Sequence, residues 1–151
     1  MGKSISLIRA LSVLLCVFAA FAAGPARADG SVSALGMGMG TGPAKPMAQF
    51  DAVIAKYNAS GERFHIDGHC QSACTMFLSI SNVCIEPDAM LLFHAGNNRS
   101  GQVSAVSTKH MLDTYKPALA QYLTANHFMD TFEFHTISGS ELISRFGYPA
   151  C

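Results

Sequence analysis

Gly68-His-Cys-Gln-Ser-Ala-Cys-Thr-Met-Phe-Leu78 and, a few residues on, Met90-Leu-Leu-Phe-His94 decide the reading of this chain. Just upstream, residues 63–67 alternate, with Phe64 and Ile66 on one face, which predicts a half-buried strand. Gly68 breaks that strand. Ser72 and the small residues around it open a helix expected to reach about residue 81, with Met76, Phe77 and Ile80 inward. Residues 82–84 are expected to turn the chain. The fully apolar run Met90–Phe93 then reads as a buried strand, closed by His94. Parallel strands joined by a right-handed crossover bring their ends to the same sheet edge. A serine at a helix N-terminus on that edge lies beside unpaired backbone N–H groups, which can stabilise an oxyanion. An imidazole within its hydrogen-bond reach would supply the base. The plainer reading of the same spacing is a helix cap at Ser72 and a strand-end histidine at 94.

Outward from this segment, Met47, Phe50, Val53, Ile54 and Tyr57 recur at helical spacing, so residues 47–59 form an amphipathic helix that Gly61 caps. Residues 97–107 are polar and loop-like. Met111, Leu112, Tyr115, Leu119, Tyr122 and Leu123 mark a second long helix, which Pro117 should kink or restart. Ser138-Gly-Ser-Glu141 is a capping box for a short helix carrying Leu142, Ile143 and Phe146, stopped by Gly147. The alternation of helices and strands predicts an α/β layer fold, a small and mostly parallel sheet flanked by helices. No internal repeat is visible.

The N-terminus reads as a cleaved export signal spanning residues 1–28. Lys3 and Arg9 precede an apolar run over residues 10–23, and Ala26-Arg27-Ala28 offers a small-x-small cleavage pattern. The run is short of the ~20 residues that a bilayer needs, so no stable membrane anchor is expected after cleavage. The 123 residues that follow carry seven basic and ten acidic side chains, a net charge of −3. That balance gives no footprint for nucleic acid. Residues 29–46 are rich in Gly, Ser, Met and Pro, and are expected to form a flexible arm with no strand before the glycines of residues 36–42. The folded domain is expected over residues 47–151.

Cys70, Cys74, Cys84 and Cys151 remain after the signal, and an even count in an exported chain points to disulfides. A helix after residue 73 would hold Cys74 and Cys84 roughly 15 Å apart at 1.5 Å per residue. A bridge needs Cα atoms within about 7 Å, which excludes that pair. Cys70–Cys74 with Cys84–Cys151 is the preferred pairing.

Gly68 to Leu78, with Cys84-Ile-Glu-Pro87 and Leu91-Leu-Phe-His-Ala95, resembles the core of the Clp protease proteolytic subunit and its relatives in the ClpP/crotonase superfamily. It is most similar to small exported ClpP-like proteins carrying Cys-x-Ser-Ala-Cys. The likeness covers residues 60–96 and extends weakly to residues 138–147. It implies a truncated, disulfide-stabilised ClpP/crotonase-like fold. It also implies Ser72 as nucleophile, His94 as general base and the Ala73 backbone N–H as an oxyanion donor, for peptide or amide hydrolysis. The expected partner is a peptide or protein, as substrate or as ligand of a non-catalytic domain. No ATPase partner is expected outside the cytoplasm, and no cofactor. The chain departs from the family twice. It lacks the Gly-Gly turn that supplies the second oxyanion donor, where only a glycine of residues 36–42 could substitute. It also carries Phe134 at the position matched to the family's aspartate; Asp130 and Glu133 are nearby acids outside that position, and of these Asp130 is the candidate to orient His94.

Other chemistries are weaker. Cys70 and Cys74 with His94 could bind zinc, or act as thiols, but an oxidising compartment favours disulfides and no metal is expected. His65 and His69 are expected to be exposed polar residues, and Lys109 a solvated helix residue rather than a base beside Ser72.

Overall fold

The computed structural model describes residues 29–38 and 45–151. The predicted signal, residues 1–28, and part of the glycine-rich run lie outside the described residues. The chain folds as a mixed α/β domain with two small sheets instead of the single one expected. In one, β1 (Gly30–Ser31), β2 (Phe64–Ile66) and β4 (Val83–Ile85) lie in the order β1-β2-β4, all parallel. In the other, β3 (His69–Gln71) pairs in parallel with β5 (Met90–Phe93), and β6 (His135–Ser138) runs antiparallel on the far side of β5.

The chain crosses from the first sheet to the second twice. It passes from β2 to β3 at Asp67-Gly68, where Gly68 takes φ 62°, a left-handed conformation that a glycine adopts without a Cβ clash. It passes from β4 to β5 through residues 86–89. Each crossing leads to a helix, first a 3-10 helix (Ser72–Ser79) and later, after a loop, α3 (Ala105–Asp113). This strand–kink–strand–helix unit thus occurs twice.

The aromatic centre of the core explains why α2 (Met47–Ser60) docks where it does. Phe64 of β2 packs on Phe77 of the 3-10 helix with ring centroids 4.9 Å apart, and Tyr57 and Phe50 of α2 close on the same pair at 4.8 and 5.5 Å. The expected C-cap holds, with Gly61 at φ 67° and its N–H donating to Tyr57 O. Pro117 does restart the helix: α3 ends at Asp113 and α4 (Pro117–Ala125) begins on the proline. Ser138 caps α5 (Gly139–Phe146) by accepting from the Glu141 amide at 3.1 Å. Only that arm of the capping box forms, because the Glu141 carboxylate accepts from Arg145 instead.

Four expectations need correction. Residues 29–38 are not an irregular arm. Gly30 and Ser31 form a strand beside β2, Ser31 caps the one-turn helix α1 (Val32–Leu35), and Val32 is buried at 1 % exposure. A strand therefore does precede the glycines. Residues 69–71 are a strand and not a linker, and residues 83–85 are a strand where a turn was expected. The helix after Ser72 is 3-10 and ends at Ser79. Thr75 and Ser79 hydroxyls donate back to the carbonyls of Ser72 and Met76, which tightens the turns.

Both preferred cysteine pairs lie at bridging distance and are bonded, with Cα–Cα 5.3 Å for Cys70–Cys74 and 4.9 Å for Cys84–Cys151. The second ties residues 149–151 along β4, where Ile85 N donates to Pro149 O and Cys151 N to Ile85 O. This covers the β4 edge. Among the described residues no helix is long and apolar enough to cross a membrane.

The loops closed by the two bridges span 67 and 4 residues. Loop entropy makes the longer one worth about 4 kcal/mol and the shorter about 2 kcal/mol. Urea unfolding of C84S/C151S should therefore lose roughly twice the free energy lost by C70S/C74S. An equal or reversed ranking would show that the C-terminal staple does not act through chain entropy.

Candidate functional site

Ser72 follows β3 directly, and its backbone is the unusual feature of the site. It takes φ 57°, one of only two non-glycine residues with positive φ among the described residues, the other being the exposed His127. A side chain in this region costs on the order of 1–3 kcal/mol and persists only where its surroundings impose it. Three restraints do so. The Cys70–Cys74 bridge closes a short loop with Ser72 at its centre. The Ser72 carbonyl accepts from Thr75 Oγ1 at 2.7 Å. The preceding Gln71 amide donates to Gly38 O at 3.0 Å.

Thr75 is fully buried and has one proton to give. It gives it to Ser72 O, so the 2.6 Å bond with Tyr115 must run from the tyrosine hydroxyl to Thr75 Oγ1. Burial raises the Tyr115 pKa far above its ordinary range, which keeps that donor protonated. The strained turn is thus wired to the segment between α3 and α4. Sequence periodicity marked Tyr115 only as a core residue; its polar role had no signal.

The plainer reading of Ser72 as a helix cap does not match the geometry. Gln71 occupies the N-cap position with no side-chain cap bond, and the Ser72 hydroxyl forms no hydrogen bond with the described residues. Ala73 is the second residue of the helix, so its amide is among those a helix leaves without an internal acceptor. The glycine run is also better anchored than expected. A Cβ on Gly38 would run into the His69 carbonyl, so glycine lets this segment approach the start of β3.

His94 follows β5 directly. In the parallel register His69, Cys70 and Gln71 face Met90, Leu91 and Leu92, so Ser72 and His94 both stand just past the same end of adjacent strands. Cys70, Leu91 and Phe93 point into the core, while His69, Gln71 and Leu92 are half-buried and Met90 is exposed on the other face. A regular continuation of β3 would put residues 72 and 94 on opposite faces, because register pairs 94 with 73 and side chains alternate. The left-handed turn at Ser72 ends that alternation. No hydrogen bond joins the two side chains.

Around His94 the chemistry is aromatic. Phe134 meets the imidazole edge-on at 4.7 Å and Phe132 at 5.9 Å. Both rings remain exposed, at 46 and 42 %. The Ala95 amide donates to Thr131 O at 2.8 Å, which holds this loop over the end of β5. Burial lowers the His94 pKa below 6.5, an effect the Ala95 backbone only partly offsets, so the ring is neutral at pH 7. Its Nδ1 is buried without a hydrogen-bond partner among the described residues. Phe134 thus occupies the flank of the ring. Asp130 pairs with His127 at 2.8 Å, on the exposed side, and orients nothing at His94.

The remaining residues fall as follows. Cys70 and Cys74 are joined to each other and are neither thiols nor ligands with His94. Lys109 is exposed and paired with Asp113. His69 shares a hydrogen bond with Gln71 at 3.1 Å. His65 is not a free surface residue; it sits between Asp29 and Glu86 with its side chain 28 % exposed. An open groove of about 400 Å³ is lined by Ser79, Ser81, Tyr115, Lys116 and Tyr148 and includes neither Ser72 nor His94. No protein-family model matches the chain, nor does any curated protein or solved structure.

Proposed function

We propose that this chain is an exported hydrolase of the ClpP/crotonase type that acts on peptide or amide bonds, with Ser72 as nucleophile and His94 as base. The observation that carries the reading is the clamped left-handed serine at the end of β3, beside the parallel strand that ends in His94. Backbone strain held by a disulfide and a buried hydrogen-bond chain fits a functional site better than a cap that makes no cap bond. The two disulfides fit an oxidising compartment, as does the signal-like N-terminus.

In this mechanism neutral His94 takes the Ser72 proton as Oγ attacks the carbonyl carbon. The Ala73 amide stabilises the oxyanion that forms. The imidazolium then protonates the leaving amine, and water repeats the sequence on the acyl-enzyme. No carboxylate stabilises the imidazolium. A triad deprived of its acid loses about 10⁴ in turnover, so catalysis is slow and the acyl-enzyme long-lived.

The orphaned Nδ1 and the exposed Phe132 and Phe134 favour a second reading, in which the fold is kept and the aromatic rim binds a peptide without cleaving it. A fluorophosphonate probe separates the two. The hydrolase reading expects covalent labelling of the wild-type chain and none of S72A. A folded wild-type chain that stays unlabelled across the neutral range would replace it with the binding reading.

The pH profile tests the base. A histidine whose pKa is lowered stays deprotonated further into mildly acid solution, so the labelling rate should reach half its plateau below pH 6.5. A half-maximal rate above 6.5 would assign the base to another group.

A further inference from the structure

In the other sheet, parallel pairing of β2 with β4 puts His65 beside Cys84, and Cys84 is bridged to Cys151. One ring nitrogen of His65 and the two sulfur atoms all lie within 4.8 Å of one another. Carboxylates stand at both ring nitrogens, Asp29 Oδ2 at 3.5 Å from Nε2 and Glu86 Oε1 at 3.6 Å from Nδ1. Nε2 is itself buried without a hydrogen-bond partner among the described residues. Residues 29, 65, 84, 86 and 151 are too scattered for any ligand spacing to show in the sequence.

Two thiolates, an imidazole and a carboxylate make a four-ligand set suited to zinc. Whichever ring nitrogen takes the metal, a carboxylate on that side can complete the tetrahedron and the other can accept the remaining N–H, the usual support for a ligating histidine. The disulfide hides the set, since bonded sulfurs are not thiolate ligands. We propose that a thiol reductant converts Cys84–Cys151 and His65 into a zinc site, completed by Asp29 or Glu86. The chemistry balances. Two reductant thiols are oxidised to their disulfide, the Cys84–Cys151 bond breaks and two cysteine thiols form. Binding of Zn²⁺ then releases both thiol protons. The site is reachable: the side chains of Asp29, Glu86 and His65 are 54, 39 and 28 % exposed. It is independent of the Ser72 reading and would stand if that reading failed.

The test is titration of Co²⁺, as a spectroscopic stand-in for zinc, into the reduced full chain, read by thiolate-to-metal charge-transfer absorption. The band should saturate at one equivalent in the chain and in C70S/C74S, and be missing from the oxidised protein. Zn²⁺ should bleach it. Support groups around a metal are worth 10- to 100-fold in affinity, so removing a ligand in H65A should weaken binding by more than about tenfold. H65C, which supplies a third thiolate, should restore tight binding with a stronger band, and so separates lost ligation from lost folding. The site is overturned by a reduced C70S/C74S chain that gives no band, by equal affinity in H65A, by a band in the oxidised protein, or by an H65C variant as weak as H65A.

Discussion

A parallel ladder only three residues long, β3 against β5 with Gln71 facing Leu92, is the constraint on which the rest of this molecule depends. It alone brings the residues after each strand to one edge. Both strands are held on two sides: β6 pairs with β5, and the Gly38 carbonyl takes the Gln71 amide on the open side of β3. Cys70, Leu91 and Phe93, all fully buried, pin the inner face. A slip of one residue would turn His94 toward the core and Phe93 toward water, which a buried face does not tolerate.

On this frame two local devices act in opposite senses. The disulfide across Ser72, with the Thr75–Tyr115 hydrogen-bond chain beneath it, imposes a backbone conformation that serine does not choose and leaves the hydroxyl unbonded. In the proposed hydrolase that hydroxyl is the nucleophile. The aromatic loop at residues 131–134 keeps the imidazole neutral, which suits a base, but leaves its second nitrogen without the acceptor that would steady a charged ring. Under the proposed hydrolase reading, such a nucleophile and so poorly supported a base favour acylation over turnover.

Much of this was legible in the residue pattern, and the remainder has a common physical reason. The long helices printed their period, Gly61 and Ser138 printed their caps, and Pro117 printed the restart. The preferred cysteine pairing also matches the bridges. Strands β1, β3 and β4 did not show: Gly30-Ser31 and His69-Cys70-Gln71 carry almost no apolar side chains, and Val83-Cys84-Ile85 is buried on both faces, so none repeats the alternation that marked β2. At the site, the residue types at 72, 94 and 134 were readable. The positive φ of Ser72 and the Thr75–Tyr115 link were not, since both arise from packing between distant segments. His65 with Cys84 and Cys151 was hidden for the same reason: only strand pairing and a closed disulfide bring them together.

The central claim, that the serine and the imidazole share one crevice, is open to direct measurement by nuclear Overhauser contacts in the folded, oxidised chain. The Hε1 proton of His94 should show cross-peaks to the Hβ protons of Ser72 as well as to the Phe134 ring. Contacts to Phe132 and Phe134 with none to Ser72 would contradict the claim, for they would leave the base enclosed in its aromatic loop and out of reach of the hydroxyl.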